Sequence, residues 1–589
     1  MILQELARYY ERKTNDPETA LAPEGFEKKE IPFVLVIDKN GGLVQIEDTR
    51  SGDGKKKRAR SFLVPQGVKK ASGVAANLLW DTAEYVLGID TKGKPERVVR
   101  QHAAFLARLA ELLVEDEGVR SVRAFLASMP LALLEQSPSW EEIRTTNPNL
   151  SFQLASDTEL VCQRDAVVTA LRASVADEDS EPSNASRGIC LISGKDAEIV
   201  RLHTAIKGVW GAQTSGANIV SFNLRAFESY GKEEKQGENA PISKHSMDAY
   251  TKALNHLLGK DSTQRIQVGD ASTVFWASAK NFLEGSFSTL LGEPPKDNPD
   301  SGTRAVKALY ESVQQGSQNV NDETTQFFVL GLAPNAARIS IRFWLAGTVK
   351  DFSCRIVEHF DDIAIDHAPY EPPYPSLFRL LASTALQGKA ENIPPSLGGD
   401  TMRAILSGLP YPETLLLSAI RRIRAEQEVS YPRAALIKAC INRKTRRAHP
   451  AGDSAPEEEL HVSLDLANTN VGYRLGRLFA ALEKVQEEAS PGLNATIRDR
   501  FYGAASSTPV TVFSNLLKLS KHHLAKIENR GRAVNLEKLI GEIVDALNGD
   551  EGFTAHLTIA DQGRFAIGYY HQKQAFYAKK SEPSEGVQA

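Results

Sequence analysis

The segment Ala368-Pro-Tyr-Glu-Pro-Pro-Tyr-Pro375 divides the chain into two parts with different patterns. Its four prolines exclude a helix interior, because proline lacks a backbone N–H and clashes with the preceding turn. Before this segment, strand-like and helical patterns alternate, whereas helical patterns dominate after it. The sequence therefore predicts an α+β fold, with a mixed α/β N-terminal region with short sheets followed by an α-helical bundle C-terminal domain.

Two strand pairs are predicted before the proline segment. Phe33–Asp38 and Leu43–Glu47 flank a Gly41-Gly42 turn, and Phe327–Ala333 is joined to Ile339–Trp344 by Pro334-Asn-Ala-Ala. Apolar residues recur with helical spacing in several further stretches. These stretches are Val98–Leu113, Asp248–Leu258, Thr414–Arg424, Pro432–Ile441, Gly472–Glu488, Val510–Ile527 and Asn535–Leu547, the last with Asn535 as its predicted N-cap.

Polar, turn-rich segments at 176–187 and 292–302 further punctuate the chain. With the proline segment, they predict a mixed α/β region at 1–175, a second at 188–368 and a helical domain at 376–589.

The charge of the chain is unevenly distributed. The net charge of −4 is close to neutral for 589 residues. From Arg50 to Arg100, 12 basic residues face 5 acidic ones, and from Arg403 to Arg447 the numbers are 10 and 3. Such runs are typical of phosphate-binding surfaces, although solvated helix faces give the same pattern.

Several protein classes are disfavoured by composition. The chain has no run of about 18 apolar residues, so no membrane span is predicted. The four cysteines lie far apart and fit neither metal-ligand spacing nor a disulfide framework. We therefore expect a cytoplasmic protein without a membrane partner.

Catalytic motifs are weak. Gly188-Ile-Cys-Leu-Ile-Ser-Gly-Lys195 has one residue too many between its glycines for a phosphate-binding P-loop, and Asp196 follows where a hydroxyl is needed. Glu358, His359 and Asp361 are candidate ligands for the metal ion of a nuclease, but they also fit an amphipathic helix with an acidic face. We predict a binding protein with no catalytic residues, metal or cofactor, and keep the nuclease as the alternative.

Two blocks combine cationic and amide side chains with glycine. The first contains Lys69, Lys70, Ser72 and Asn77. Lysine supplies phosphate contacts that are blind to sequence, and asparagine can reach base edges. In the second, Arg201–Asn218, three glycines bracket Gln213, Thr214 and Ser215. A glutamine on a tight loop can bond to bases or wedge between them, although capped helices and plain surface turns look similar.

These two blocks resemble the large subunit of the type I-C CRISPR Cascade (Dvulg subtype) surveillance complex. The resemblance runs nearly from end to end, and five further segments carry it. They are Met1–Leu6, Val329–Ser340, Tyr431–Lys438, Asn494–Gly503 and Asp561–Gln572.

The resemblance implies a DNA-recognition subunit without catalytic activity. Such a subunit recognises the protospacer-adjacent motif in duplex DNA, aids duplex opening and R-loop formation, and recruits the Cas helicase-nuclease in antiviral defence. Its expected partners are the crRNA-containing backbone and handle-binding subunits, target duplex DNA, and the helicase-nuclease. The residues expected to contact DNA are Lys69, Lys70, Ser72, Asn77, Gln213, Thr214 and Ser215.

The resemblance also implies that the C-terminal part, about residues 480–589, is similar to the small subunit and can be made separately. No methionine follows Met402, so such a product needs another start codon, as at Val471 or Val485. The basic residues Lys518, Lys521, His522, Lys526 and Arg530 predict a face there that guides the displaced non-target strand.

Overall fold

A computed structural model gives the architecture. The structure describes residues 1–16, 21–52, 57–68, 74–178, 186–222, 224–232, 236–317, 320, 322–448, 459–547 and 553–577. Within these ranges, no helix combines the length and apolar character needed to cross a membrane.

Helices make up most of the regular structure. In chain order they are α1 Ile2–Thr14, α2 Ala83–Val86, α3 Pro95–Ala110, α4 Glu117–Ser128, α5 Leu131–Glu135, α6 Trp140–Thr146, α7 Asp165–Glu178, α8 Lys244–Leu257, α9 Phe282–Leu291, α10 Ser301–Gln314, α11 Val349–Ile363, α12 Leu377–Ser383, α13 Leu397–Ser407, α14 Glu413–Glu426, α15 Tyr431–Ala448, α16 Val471–Ala489, α17 Ile497–Ala505, α18 Phe513–Lys526, α19 Arg530–Asp545 and α20 Ile559–Tyr577.

Among the described residues, the strands all lie in the first three-fifths of the chain. They are β1 Phe26–Glu30, β2 Phe33–Ile37, β3 Leu43–Asp48, β4 Ser61–Pro65, β5 Trp80–Thr82, β6 Asn149–Leu154, β7 Arg187–Ile189, β8 Asp196–Glu198, β9 Arg265–Val268, β10 Ala271–Ala277, β11 Gln326–Asn335 and β12 Arg338–Thr348. The predicted α+β class is confirmed, because short sheets precede a helical C-terminal region.

Contacts group the chain into two compact units. The first comprises residues 1–204 and 220–253, and the second comprises 205–219 and 254–589. The core of the second unit is continuous from Val268 to Tyr570, so the proline segment at 368–375 does not separate two hydrophobic cores. Three separable regions at 1–175, 188–368 and 376–589 stay a prediction.

The first unit is built on a four-stranded sheet of order β3-β2-β6-β5. The predicted hairpin forms, since β2 and β3 pair antiparallel, and β2 also pairs in parallel with β6. All five residues of β2 are buried because both neighbouring strands and the covering helices enclose it. On this sheet Phe152 packs edge-on against Phe125 of α4.

The second unit begins with an antiparallel sheet of order β12-β11-β10-β9. The predicted hairpin around Pro334 forms as β11 and β12, which are longer at both ends than the pattern indicated. One face of the sheet packs on helices, because Phe275 and Phe327 contact Phe287 of α9, and Phe327 also contacts Phe352 of α11.

The helical part of the second unit centres on the α16–α20 pair. A Cβ added at Gly476 would lie 2.0 Å from the Phe565 carbonyl oxygen, and one at Gly568 would lie 2.0 Å from that of Tyr473. Glycine at both positions therefore allows the two backbones to touch.

The helices predicted from apolar spacing form with small shifts, but the prediction of Asn535 as an N-cap is wrong. Asn529 caps α19, with its Oδ1 accepting from the Arg532 amide, so the helix begins before Asn535.

Candidate nucleic-acid interface

The first block predicted to bind DNA is described only at its flanks. Lys69, Lys70 and Ser72 lie outside the described residues. Asn77 is buried, with its Oδ1 accepting a hydrogen bond from the Val68 amide at 3.0 Å. The backbone amide of Asn77 donates a hydrogen bond to Asp81 Oδ2 at 2.9 Å. Asn77 thus ties together the two flanks of the block, and base contact by this residue stays a prediction.

Part of the second block, Lys207–Gly216, forms a closed loop, which we call the glycine loop. Ile206 and Ala217 close its base by exchanging two backbone hydrogen bonds of 2.8 and 2.9 Å. Beyond the base, Asn218 donates to the Ala337 carbonyl and accepts from the Ile339 amide at the turn of the β11–β12 hairpin. The glycine loop is therefore attached to the sheet of the second unit.

Side chains from the neighbouring elements also hold the backbone of the glycine loop. The Lys207 amide donates to Asn255 Oδ1 at 2.8 Å, and the Trp210 amide donates to Ser272 Oγ at 2.9 Å. Because these partners belong to α8 and β10, the loop is fixed along its length and at both ends.

Two of the loop's glycines are required by its close approach to neighbouring backbone. Gly208 has φ of +88° and Gly216 has φ of +95°, a region that favours glycine. A Cβ at Gly208 would lie 2.6 Å from the Leu258 carbonyl oxygen, and one at Gly216 would lie 2.8 Å from that of Ile206. Bulkier residues at either position would displace the loop.

The glycine loop carries its polar residues on two consecutive turns. The Ala212 amide bonds to the Val209 carbonyl at 3.1 Å, and the Gly216 amide bonds to the Gln213 carbonyl at 2.9 Å. Gln213, Thr214 and Ser215 are all exposed. The loop thus presents an amide and two hydroxyl groups to solvent on a constrained backbone.

A third candidate surface lies on α18. The side chains of Lys518, Lys521, His522 and Lys526 are exposed and lie three or four residues apart, so they share one side of the helix. We call these four residues the cationic face. Within the described ranges, none of its lysines has an ion-pair partner. Arg530 is also exposed and begins the next helix, α19.

The other basic stretch, Arg403–Arg447, has a different arrangement. Arg443 is completely buried, and its guanidinium pairs with Asp362 Oδ2 at 2.5 Å and lies 4.3 Å from the ring centre of Tyr411. Arg446 contacts the other oxygen of Asp362 at 2.7 Å. Most of the basic residues counted here therefore pair with carboxylates of the protein itself, at sites that range from buried to exposed. Further ion pairs of the stretch include Arg403–Asp400, Arg422–Glu426, Arg433–Glu426, Lys444–Glu413, Arg446–Glu358 and Arg447–Glu358.

The proposed nuclease residues on α11 each have a different structural partner. Glu358 contacts Arg355 at 2.7 Å and two arginines of α15, and although burial raises its pKa, these cations hold it below its ordinary value. His359 Nδ1 bonds to the Tyr411 hydroxyl at 2.7 Å. Burial, with a smaller contribution from Arg443, lowers the pKa of His359 to about 3.

Asp361 has a partner on another helix, since its Oδ1 accepts a hydrogen bond of 2.6 Å from the Tyr310 hydroxyl of α10. Across the part of the chain that the structure describes, no group of three or more His, Cys, Asp or Glu side chains is arranged to hold a metal ion. The geometry therefore gives the nuclease alternative no support.

The sequence model for CRISPR-associated protein (Cas_Csd1) matches residues 6–577. The chain belongs to the Cas_Csd1 family. The match covers nearly the whole chain and confirms the resemblance to the large subunit of type I-C CRISPR Cascade. This Cas_Csd1 member is thus a subunit of CRISPR Cascade, which it forms with other Cas subunits. Among curated proteins, no sequence matches it.

Sequence reasoning on this Cas_Csd1 chain missed the inward orientation of the α15 cations. A signal was present, because apolar residues occupy every side of the helix between Ala434 and Ile441. A helix that is apolar all round is usually buried. Its cations then need internal carboxylate partners.

Proposed function

We propose that this Cascade subunit recognises the protospacer-adjacent motif in duplex DNA without catalysing a reaction, and aids duplex opening. The observation that carries the proposal is the glycine loop, which presents Gln213, Thr214 and Ser215 on a backbone held at its base and along its length. Base readout requires donors and acceptors at fixed positions, and a preorganised loop loses little conformational entropy on binding.

The side chains at the loop tip suit this task. The Gln213 amide both donates and accepts hydrogen bonds, so it can pair with a base edge or replace a partner that the base loses on opening. Thr214 and Ser215 add hydroxyls that bond to phosphates or bases. Lys69, Lys70, Ser72 and Asn77 are proposed to add contacts to the motif duplex, with the lysines binding phosphates.

The experiment measures target binding by Cascade reconstituted with crRNA and this subunit. Gln213→Ala should reduce discrimination between correct and altered motifs by about fivefold or more, because one good base contact contributes about 1–3 kcal/mol. Gln314→Ala is the matched control, since Gln314 is also an exposed glutamine but ends a helix, α10. Equal discrimination by both variants would contradict the proposal.

After opening, the displaced non-target strand is proposed to follow Lys518, Lys521, Lys526 and Arg530. Exposed cations that have no carboxylate partner among the described residues suit a flexible strand, because phosphate contacts need no fixed base sequence. The recruitment of the Cas helicase-nuclease to the opened target completes the proposed role.

We also propose that a separate small subunit, if made from this chain, starts at Val471. Helix α16 begins at Val471 and packs along α20, with Gly476 close to the Phe565 backbone and Gly568 close to the Tyr473 backbone. A start at Val485 would remove most of α16 and expose the core around Phe479. Mass spectrometry of the purified complex would identify the first residue.

A further inference from the structure

Trp210 occupies an unusual position among the tryptophans of this protein. Its side chain is 57% exposed, whereas Trp80 and Trp276 are 2% and 1% exposed, and Trp140 and Trp344 are half-buried. An indole in water forgoes the favourable burial that the others gain. Single exposed apolar residues are common on proteins, so exposure alone assigns no role.

The backbone of the glycine loop adds the second observation. Val209 is buried, and the Trp210 amide is bound to Ser272, so the residue is anchored directly below its exposed ring. Gly211 follows with φ of +76°, as in a type II turn, which places Trp210 at the outer corner. The indole is therefore exposed by a fixed turn and not by a loose one.

The indole also has an unused polar edge and polar neighbours. Its N–H has no hydrogen-bond partner within the described part of the chain. Gln213 lies on the adjoining turn, and the exposed Lys207 lies three residues before Trp210. An aromatic face, an amide and a cation on one constrained loop match the chemistry of an unpaired nucleotide, which offers a base face, base edges and a phosphate.

We infer that Trp210 stacks on a base that is unpaired when the duplex opens next to the protospacer-adjacent motif. This inference rests on the proposed function and deepens it, because it assigns the glycine loop an occupant beyond the motif itself. Stacking on Trp210 stabilises the open form of the duplex, while Gln213 offers hydrogen bonds to the same or the neighbouring nucleotide.

The test combines a protein change with a DNA change. Reconstituted Cascade carrying Trp210→Ala binds target duplexes that hold either a normal nucleotide or an abasic tetrahydrofuran site at each of the first positions beside the motif. With intact DNA, Trp210→Ala should weaken target binding about 5- to 100-fold, the range found for base–aromatic stacking. At one abasic position, the variant should bind as well as the wild type, because the stacked base is absent from both complexes.

Two further variants control the experiment. Trp210→Phe keeps an aromatic face and should recover most of the binding, whereas Tyr370→Ala removes another highly exposed aromatic residue and should have no effect. Unchanged binding by Trp210→Ala, or the same loss at every abasic position, would overturn the inference. Wild-type Cascade that fails to distinguish motif sequences would instead contradict the proposed function itself.

Discussion

Helices α15 and α18 are both rich in basic residues, but they use their charge in opposite ways. On α15, Arg443 is buried against Asp362, and Arg446 and Arg447 bind carboxylates of α11. On α18, Lys518 and Lys521 are exposed and have no ion-pair partner in the described ranges. A count of charges along the sequence therefore does not measure the charge available to a nucleic acid.

The physical difference comes from the neighbours of each helix. Helix α15 packs against α11, α12, α14 and α20, so several of its basic side chains, among them Arg433 and Arg443, are buried, where they require carboxylates. Helix α18 buries only one side, through Phe513 and Leu516, and its opposite side is free for lysine. We therefore expect changes to the buried ion pairs of α15 to alter stability and changes to the cationic face of α18 to alter nucleic-acid binding.

The largest effect should follow from Asp362→Ala. The substitution leaves Arg443 buried without its carboxylate, and it should lower the free energy of unfolding by about 3–5 kcal/mol. Denaturant unfolding of the purified subunit measures the change. As a control, the double variant Asp362→Leu with Arg443→Met removes both charges and should recover much of the lost stability. A loss below 1 kcal/mol in Asp362→Ala would show that the α15 cations are not structural.

A smaller effect concerns the pH dependence of the same region. His359 has a pKa of about 3 in the folded protein, below its ordinary value of 6.5. Between pH 6.5 and about 3, the unfolded chain therefore binds a proton that the native chain does not. The free energy of unfolding decreases as the pH is lowered through this range. The contribution of neutral His359 to the free energy of unfolding is complete above pH 6.5 and is lost as the pH falls towards 3. His359→Gln should reduce the stability difference between pH 7.5 and 5.5 by about 1.4 kcal/mol.

Denaturant unfolding at the two pH values measures this difference, and the comparison of the variant with the wild type cancels the titration of unrelated groups. If the variant kept the full pH dependence of the wild type, His359 would not be the buried neutral group that its contact with Tyr411 indicates.

On α18, the triple variant Lys518→Ala, Lys521→Ala and Lys526→Ala should leave stability unchanged and weaken binding of single-stranded DNA. Each phosphate contact on a single strand contributes about 0.7 to the slope of log affinity against log salt concentration, so the slope should fall by about 2. Fluorescence anisotropy of a labelled oligonucleotide over a range of salt concentrations measures it. An unchanged slope with normal folding would exclude these lysines from the strand path.

The smallest effect is expected for Lys444→Ala. Lys444 lies near the end of α15, and its ion pair with Glu413 is mostly exposed to solvent. Exposed pairs of this kind contribute little to stability, and a single engaged lysine adds little to DNA affinity. Neither the unfolding midpoint nor the salt dependence should change measurably. A clear loss of DNA affinity would extend the nucleic-acid surface to α15 and weaken the contrast with α18.

The sequence predicted the elements of the fold better than their surroundings. Hairpins such as β2–β3 and β11–β12 follow from alternating patterns and local turns, and the helices follow from apolar spacing. The contacts of Arg443 and Asp362 could not be predicted, because these residues are 81 positions apart and are joined only by packing. The start of α19 was also missed, because its cap at Asn529 lies before the apolar pattern begins.

For the candidate interface, residue types and glycine spacing indicated where polar groups lie on the glycine loop, and Gln213, Thr214 and Ser215 are indeed exposed. The attachment of that loop to Asn255, Ser272 and the β11–β12 turn could not be read from its own residues, because all three partners are distant in sequence. Fixed geometry is what distinguishes a recognition loop from an ordinary surface turn.

The central claim is that this Cascade subunit recognises DNA through the glycine loop. The most direct test is an electron-microscopy reconstruction of the complex with crRNA and a target duplex that carries the protospacer-adjacent motif. We expect nucleotides beside the motif within hydrogen-bond distance of Gln213, Thr214 or Ser215. A glycine loop that is covered by another protein subunit, or that faces solvent while the motif duplex is bound elsewhere, would contradict the account.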